Sequence, residues 1–354
     1  MAPPVLRILE HLARQPTAPL HERAVLRQAA SIGRDAGLRV RADAFGNLVL
    51  RPPGPRRGPA IWLVAHSDHP AFEIVRKGEA RLLGGVRPEY LRRGTRLRVY
   101  RRGEPLTARI RRFTKSNGRI RFDGGTGARH RDFGVWELED FRMERGIVHA
   151  RQLDDLAGCS VSLAAVARAV RSRSLNLSAL LTRAEEIGFI GTLGAIESGV
   201  IPRNAWVLNV EASKAIPGVD IGGGPIIRVG DRTRTFDATA EDLLSSARER
   251  LPRSKPVQRW LMTGGTCEAT AFGLAGYRAT GLAIPLGNYH NMGPSNRLAA
   301  EFVSARDLST AVDLIELAAR HIGEGLRRGA RFQARIDRLL RKYGVRLRDT
   351  RPRV

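Results

Sequence analysis

The chain has 354 residues, of which 42% are hydrophobic, so it is long enough for about two domains with a sizeable buried core. It has neither a run of roughly 18 apolar residues nor the N-terminal pattern of a signal peptide, and only two cysteines, so we expect a cytoplasmic protein without a membrane partner. The formal net charge of +25 comes almost entirely from scattered arginines without a recognisable nucleic-acid motif, so we expect no nucleic-acid partner.

The first segments predict two helices followed by a β-hairpin. Apolar residues recur at helical spacing over 5–12, and a second amphipathic stretch covers about 22–35. Residues 38–43 then alternate as in a strand, and residues 48–50 return as its partner after a short turn.

Four short apolar runs predict strands that are buried on both faces, as in a parallel sheet covered by helices. These runs are residues 60–65, 177–182, 205–210 and 279–284. Helical stretches lie between or after them, at about 158–171, 191–198 and 307–321. The alternation predicts an α/β fold with a mixed, largely parallel sheet sandwiched by helices.

Residues 73–149 interrupt this pattern. Apolar and charged residues alternate there between glycine-rich turns, which is typical of an antiparallel sheet. We therefore predict a small, barrel-like β domain inserted into a catalytic α/β domain that comprises residues 1–72 and 150–325. Residues 326–354 would form a basic C-terminal tail.

The four apolar strands lead to side chains that can bind metal ions, and a further acidic pair precedes a helix. In open α/β sheets, ligands bind beyond the carboxyl ends of the strands. Imidazole and carboxylate together suit zinc, cobalt or manganese, and we expect zinc. Two histidines and three carboxylates are about right for two divalent ions that share a carboxylate. The candidate ligands are His66, Asp154, Glu186, Glu211 and His290.

Two further acidic residues suit supporting roles in catalysis. In the pair Glu185-Glu186, one carboxylate can bind a metal ion while its neighbour remains free as a general base. Asp68, two residues after His66, can accept a hydrogen bond from the imidazole and fix its tautomer. Each motif alone is weak, but together they can converge at one edge of the sheet.

Over roughly residues 20 to 320, these motifs resemble the tetrahedral aminopeptidases, the glutamyl and deblocking aminopeptidase family of dinuclear zinc or cobalt metallopeptidases. The similar segments are Asp43-Ala-Phe-Gly-Asn-Leu48, Ala65-His-Ser-Asp68, Gln152-Leu-Asp-Asp-Leu-Ala-Gly-Cys159, Ala184-Glu-Glu-Ile-Gly188, Val210-Glu211, Gly264-Gly-Thr266 and Tyr289-His290.

The resemblance implies a zinc-exopeptidase-like fold, peptide substrates and a homo-oligomer. It also implies that Asp154 bridges two ions, whose remaining ligands would be His66 with Glu211 and Glu186 with His290. The acid before Glu186 would be the general base for the water that attacks the peptide carbonyl. The resemblance thus predicts a metal-dependent aminopeptidase.

Four positions depart from the family pattern, one of which is Glu211, where the family has a metal-binding Asp. His69 stands where the family usually has Glu, Cys267 replaces an Asp and is followed by Glu268, and Tyr289 directly precedes His290. We expect His69, Glu268 and Tyr289 to contact substrate, with Glu268 as a candidate partner for a free α-amine. A structural role is an equal alternative for His69.

Two other functions remain open at this point. One is a metal-dependent amidohydrolase or deacylase that acts on a small N-acyl substrate. The other is a basic, non-catalytic scaffold that binds polyanions, as the high positive charge would allow.

Overall fold

A computed structural model describes residues 4–352; the first three and last two residues, which belong to the first and last predicted segments, lie outside it. Its helices are α1 (Val5–Ala13), α2 (Arg23–Asp35), α3 (Leu153–Ala169), α4 (Ile190–Ser198), α5 (Ala238–Arg248), α6 (Glu268–Leu274), α7 (Ala305–Arg320), α8 (Ile322–Leu326) and α9 (Arg328–Asp349). Its strands are β1 (Arg39–Ala42), β2 (Leu48–Arg51), β3 (Ile61–His66), β4 (Ala71–Arg76), β5 (Glu79–Leu83), β6 (Arg96–Arg101), β7 (Glu104–Thr114), β8 (Arg119–Gly124), β9 (Phe133–Trp136), β10 (Arg142–Glu144), β11 (Ile147–Ala150), β12 (Leu177–Thr182), β13 (Trp206–Lys214), β14 (Ile226–Asp231), β15 (Gln258–Met262), β16 (Arg278–Leu286) and β17 (Glu301–Ser304).

The largest sheet has eight strands in the order β1-β2-β12-β3-β13-β16-β14-β15. The four inner strands β12, β3, β13 and β16 are parallel. At one side β2 joins β12 in the antiparallel direction, and at the other side β14 is antiparallel to β16. The sheet is therefore mixed and largely parallel, which confirms the predicted fold class.

Helices cover both faces because the inner strands are apolar on both sides. Along β3, Leu63 packs into the core that includes residues of α1, α2, α3 and α7. Its neighbours Trp62 and Val64 pack instead with Ala195 of α4 and Phe272 of α6. This burial on both faces explains why the sequence of β3 is a continuous apolar run rather than an alternating one.

Strands β4 to β9 close a separate barrel in the order β4-β5-β8-β7-β6-β9. The barrel runs from Ala71 to Trp136 and has its own core, which includes Phe72 and Trp136. The sequence-based range for this insert was 73–149, whereas β10 and β11 lie outside the barrel and form a three-stranded sheet with β17. The chain leaves the barrel early because β11 pairs with β17 and Val148 packs into the core of the α/β domain.

Two inner strands of the large sheet, β13 and β16, continue beyond the ends expected from their apolar runs. Strands β13 and β16 pair in parallel over nine residues, from Trp206 with Arg278 to Lys214 with Leu286. Glu211 therefore lies within β13 rather than after it. His66, by contrast, is the last residue of β3, and the barrel begins five residues later, at Ala71.

The C-terminal segment is mostly one long helix. Leu326, at the end of α8, still packs against the main core, and the 22-residue helix α9 follows. Among the described residues, no helix is both long enough and apolar enough to cross a membrane.

Candidate active site

All five candidate metal ligands line one cavity of about 540 Å³, which Glu185 and Tyr289 also line. The cavity lies where the inner strands of the sheet meet the loops around β3 and β16. Three of the ligands, His66, Asp154 and Glu186, have candidate ligand atoms that all lie within 4.8 Å of one another. The structure thus brings together the residues that the sequence placed on separate strands and loops.

Asp154 stands between the two imidazoles. Its Oδ1 lies 3.3 Å from Nε2 of His66, and its Oδ2 lies 3.5 Å from Nε2 of His290. Oε1 of Glu186 lies 3.1 Å from the same Nε2 atom of His290. A carboxylate with one oxygen toward each histidine has the placement that a bridging ligand requires.

Several atoms of this cluster are buried without a hydrogen-bond partner among residues 4–352. They include Oδ1 of Asp154 and Oε1 of Glu186. Buried carboxylate oxygens normally have partners, because leaving them unpaired costs free energy of about 1–3 kcal/mol each. The donor set of imidazole nitrogen and carboxylate oxygen fits a divalent transition metal ion, which would satisfy both atoms.

The surrounding protein orients the imidazole of His290 for metal binding. Its Nδ1 lies 2.6 Å from the carbonyl oxygen of Gly85, so Nδ1–H donates and Nε2 keeps its lone pair toward the cluster. His66 is held differently, because Oδ1 of Asp68 lies 3.6 Å from Nδ1 of His66, beyond direct hydrogen-bond distance.

Asp68 instead fixes the loop that carries the two adjacent acids. Its Oδ1 accepts a hydrogen bond from the backbone N–H of Glu185, and its Oδ2 accepts one from Glu186, both at 3.0 Å. Asp68 is fully buried next to His66, so it connects the end of β3 to the loop after β12. Its principal observed contacts therefore position the acidic pair rather than the histidine.

Glu301 at the start of β17 holds the backbone of two candidate ligands. Its Oε2 accepts from the N–H of Asp154 at 3.0 Å, and its Oε1 accepts from the N–H of His290 at 2.8 Å. The latter contact supports a residue with a left-handed backbone, since φ of His290 is 55°. One buried carboxylate thus ties the loop after β11 to the loop after β16.

Glu185 has the environment of a general base. It lines the cavity, and its Oε2 lies 3.9 Å from Nε2 of His66. Burial raises the pKa of Glu185 well above its ordinary value, an effect that the charge of Glu186 reinforces and that of His66 opposes. A carboxyl group with a raised pKa is better matched to proton transfer near neutral pH.

The cluster as a whole attracts positive charge. Although burial alone would lower the pKa values of the two imidazoles, the carboxylates around them raise both, chiefly Glu185 at His66 and Glu186 at His290. Burial would raise the pKa of Asp154, but the adjacent imidazoles of His290 and His66 lower it. These opposed shifts indicate an acidic site that favours positive charge beside its carboxylates.

Glu211 differs from the other candidate ligands because it already has a cationic partner. The fully buried side chain of Arg228 lies with Nη1 2.9 Å from Oε2 of Glu211 and 3.1 Å from Oγ of Ser213. Burial raises the pKa of Glu211 to about 7, even though Arg228 acts in the opposite direction. One oxygen of Glu211 is therefore engaged in an ion pair within the protein.

The three predicted substrate residues occupy different positions. Tyr289 lines the cavity, and its ring stacks on that of His290 with a centroid distance of 3.7 Å. His69 is buried, with Nδ1 2.5 Å from the carbonyl oxygen of Asp154 and Nε2 3.0 Å from Oδ1 of Asn291. Both of its ring nitrogens thus contact protein atoms, which favours a structural role for His69 over a substrate contact.

Glu268 lies behind the cavity rather than in its lining. It is 1% exposed, and its carboxylate accepts hydrogen bonds from Thr182, Thr192 and Asn209. These contacts leave it beneath strands β12 and β13, not at a place where a substrate amine would enter. Glu268 is therefore not placed to make the substrate contact that we expected from the sequence.

Arg228 and Glu301 contribute directly to the site, but the sequence analysis does not predict them as site residues. Each lies in a sequence pattern that gives a weak indication of such a role. Arg228 interrupts the apolar strand sequence Ile226-Ile-Arg-Val229, and Glu301 begins a strand in which the other residues are mostly apolar. A charged residue inside a buried strand needs a partner, and such positions deserve to be tested as supports of a site.

A mixed α/β sheet that directs imidazoles and carboxylates into one cavity suits a hydrolase of the metallopeptidase class. The family model of the M42 glutamyl aminopeptidases matches residues 125–314, which is more than half of the chain. The chain therefore belongs to this family and is a peptidase, a hydrolase that acts on peptide bonds. This confirms the family indicated by the sequence motifs. No curated protein matches the sequence.

Solved structures share the fold at low sequence identity. The TET1 peptidase of Pyrococcus horikoshii, described as assembling into a tetrahedron or a large octahedral shell, is 20% identical over 89% of this chain and 99% of its own, with a TM-score of 0.75. An aminopeptidase from the archaeon Desulfurococcus kamchatkensis is 21% identical over 90% of this chain and 94% of its own, with a TM-score of 0.73. A TET aminopeptidase from a marine sediment thaumarchaeon is 19% identical over 90% and 97%, with a TM-score of 0.76.

Proposed function

We propose that this peptidase is an aminopeptidase that uses two divalent metal ions, most favourably zinc, to remove N-terminal residues from peptides. The observation that carries the proposal is the buried cluster in which Asp154 lies between His66 and His290 with unpaired carboxylate oxygens around it. Family membership supplies the peptide bond as the target.

The chain offers a ligand set for each ion. Asp154 would be shared, His66 and Glu211 would complete one set, and Glu186 and His290 would complete the other. When bound, the ions would supply Lewis acidity that polarises the scissile carbonyl and lowers the pKa of a water molecule.

Glu185 would handle the proton in this reaction. It lies on the cavity wall beside His66 and is not needed to fill either ligand set. Its carboxylate would accept a proton from the attacking water and return it to the nitrogen of the leaving amine. Asp68 would keep Glu185 in place through the loop N–H groups that it binds.

The substrate would enter beside Tyr289, whose stacked ring forms part of the cavity wall. The carboxylates that line the cavity, rather than Glu268, would then be the groups available to a free α-amine. Because the structurally similar TET1 peptidase is described as a large assembly, we also propose that this chain forms a homo-oligomer.

A direct test is hydrolysis of matched free-amine and N-acylated peptides by the metal-reconstituted protein. We expect turnover only of peptides with a free N-terminus. The substitution Glu185→Gln should reduce kcat by about 100- to 10,000-fold because it removes the proton acceptor and retains the shape of the side chain. Glu241→Gln provides a matched control, since Glu241 pairs with Arg259 outside the cavity.

The opposite substrate pattern would change the proposed reaction. Hydrolysis restricted to N-acylated substrates would assign the site to a deacylase or amidohydrolase. Full activity of the Glu185→Gln variant would contradict the proposed proton transfer.

A further inference from the structure

Helix α9 carries an exposed apolar stripe that the rest of the described chain leaves uncovered. The stripe consists of Phe332, Ile336, Leu339, Leu340, Tyr343 and Leu347, with side chains between 42% and 68% exposed. Their spacing of three, four or one residues places them on one face of the helix, within an arc of about 100°. An apolar face of this kind on a long surface helix indicates a binding surface.

The opposite face of α9 is strongly basic. The helix contains eight basic and two acidic residues in 22 positions. Arg335, Lys342 and Arg346 border one side of the stripe on the helical projection, and Asp337 lies beyond the other side, at an angle similar to that of Lys342. The apolar stripe is thus accompanied by three basic residues on one side and by a single acidic residue on the other.

The helix is attached to the catalytic domain mainly at its first turn. Arg328 forms ion pairs with Asp242 at 3.4 Å and with Glu249 at 2.5 Å. Further along α9, the only buried residue is Gly344. The family match ends at residue 314, before α9 begins, so the helix is not part of the segment that defines the peptidase family.

The charge of α9 helps to decide which kind of partner could cover the apolar stripe. Pairing with a second copy of α9 would place two helices that each carry eight basic and two acidic residues side by side, so this particular contact is opposed by repulsion. A nucleic acid would neutralise the arginines but would leave the six apolar side chains in water. An anionic lipid surface accommodates both faces, because apolar side chains enter the acyl boundary while arginines reach the headgroups.

We propose that α9 is a peripheral membrane anchor that binds the chain to anionic lipid surfaces. The helix lies parallel to the surface and does not span it, so the proposal departs from the expectation of no membrane partner, which considered spanning segments only. The catalytic cavity plays no part in this interaction, so the inference stands independently of the reaction proposed above.

The test is co-sedimentation of the full-length protein with vesicles of phosphatidylcholine alone or of phosphatidylcholine with phosphatidylglycerol. We expect binding to the anionic vesicles, at least about tenfold weaker binding to the neutral ones, and several-fold loss between about 0.05 M and about 0.5 M salt. Leu340→Glu should weaken binding at least about tenfold, because it puts a charge in the centre of the stripe.

Val345→Glu is the matched control. Val345 is 59% exposed and lies on the basic face of the same helix, so the two variants change the net charge equally. We expect Val345→Glu to lose much less binding than Leu340→Glu, and both variants to retain the peptidase activity of the parent. That activity reports that each variant is folded.

Three results would overturn the proposal. One is no binding to anionic vesicles, and another is equal loss in the two variants, which would indicate charge attraction alone. The third is a change in solution mass with Leu340→Glu in the absence of vesicle binding, which would assign the stripe to contacts between copies of the chain.

Discussion

The two sides of the metal-ligand cluster satisfy their buried charges in different ways. On one side, Glu186 beside His290 has a carboxylate oxygen, Oε1, without a hydrogen-bond partner among the described residues. On the other side, Glu211 is paired with the buried guanidinium of Arg228. Among the described residues, Glu186 therefore lacks the arginine partner that Glu211 has. The comparison shows that a shared cavity does not make its ligands equivalent.

A consequence of this difference is that two metal ions would bind unequally. An ion near Glu211 would share that carboxylate with Arg228 and would be repelled by the guanidinium, which an arginine keeps charged in proteins. An ion between Asp154, Glu186 and His290 would meet no such competitor. We therefore expect the Glu211 side to be the weaker of the two.

The largest effect is expected for Asp154→Asn, which alters the residue common to both sides. An amide has only one acceptor oxygen, so it cannot face both His66 and His290 as the carboxylate does. We expect the affinity for divalent metal to fall at least about 100-fold and turnover to fall with it. Isothermal titration calorimetry with zinc measures the affinity directly.

Asp307→Asn is the control for that substitution. Asp307 is also buried, but it accepts hydrogen bonds from Gly222 and Gly224 outside the cavity. Metal affinity should be unchanged in this variant. Equal zinc affinity in Asp154→Asn and the parent would show that Asp154 is not a shared ligand.

An intermediate effect is expected for Arg228→Met, which removes the cation from the Glu211 side. Glu211 then remains buried without its ion-pair partner, and the metal-free protein should lose about 3 kcal/mol or more of its free energy of unfolding. A divalent ion can replace the lost charge, so added zinc should raise Tm more in this variant than in the parent. Thermal unfolding with and without zinc measures both changes. An equal rise in Tm in the two proteins would contradict competition between Arg228 and the ion.

The smallest effect concerns the pH dependence of the metal-free protein. The pKa of Glu211 is raised from 4.5 to about 7, chiefly by burial. Between these values the folded chain keeps a proton that the unfolded chain has lost, so this group's stabilising contribution is full below pH 4.5 and declines as pH rises to about 7. The decline amounts to about 3 kcal/mol.

Replacing Glu211 with Gln isolates this contribution. Denaturant unfolding over that pH range should show a flatter profile for Glu211→Gln than for the parent, because the variant lacks the titrating group. The same slope in both proteins would mean that Glu211 titrates normally in the folded chain.

The sequence predicted the components of the site better than their partners. The buried strand β3 and the position of His66 followed from a continuous apolar run that ends in a polar residue. The ion pair between Glu211 and Arg228 could not be predicted in this way, because it joins β13 and β14, which are separated in the sheet by β16. Such contacts depend on strand order, which local periodicity does not contain.

The same limit explains the positions of the supporting residues. The sequence predicts a substrate contact for Glu268 because it follows Cys267, which replaces an Asp of the family, yet packing of α6 turns Glu268 toward Thr182 and Asn209. Glu301 contacts residues that are 147 and 11 positions away in the chain. Its function as a clamp emerges only when β17 joins β11. The directions of side chains and the contacts between distant parts of the chain therefore could not be predicted from the sequence.

The central claim is that one shared carboxylate organises two unequal metal sites that peptide hydrolysis requires. Its most direct test is a zinc titration of the metal-free protein in which bound zinc and hydrolysis of a free-amine peptide are followed together. We predict two ions per chain in two separate steps, with the weaker step lost in Glu211→Gln and full turnover reached only after the second step. Full turnover with a single bound ion, or a titration that Glu211→Gln leaves unchanged, would contradict the account.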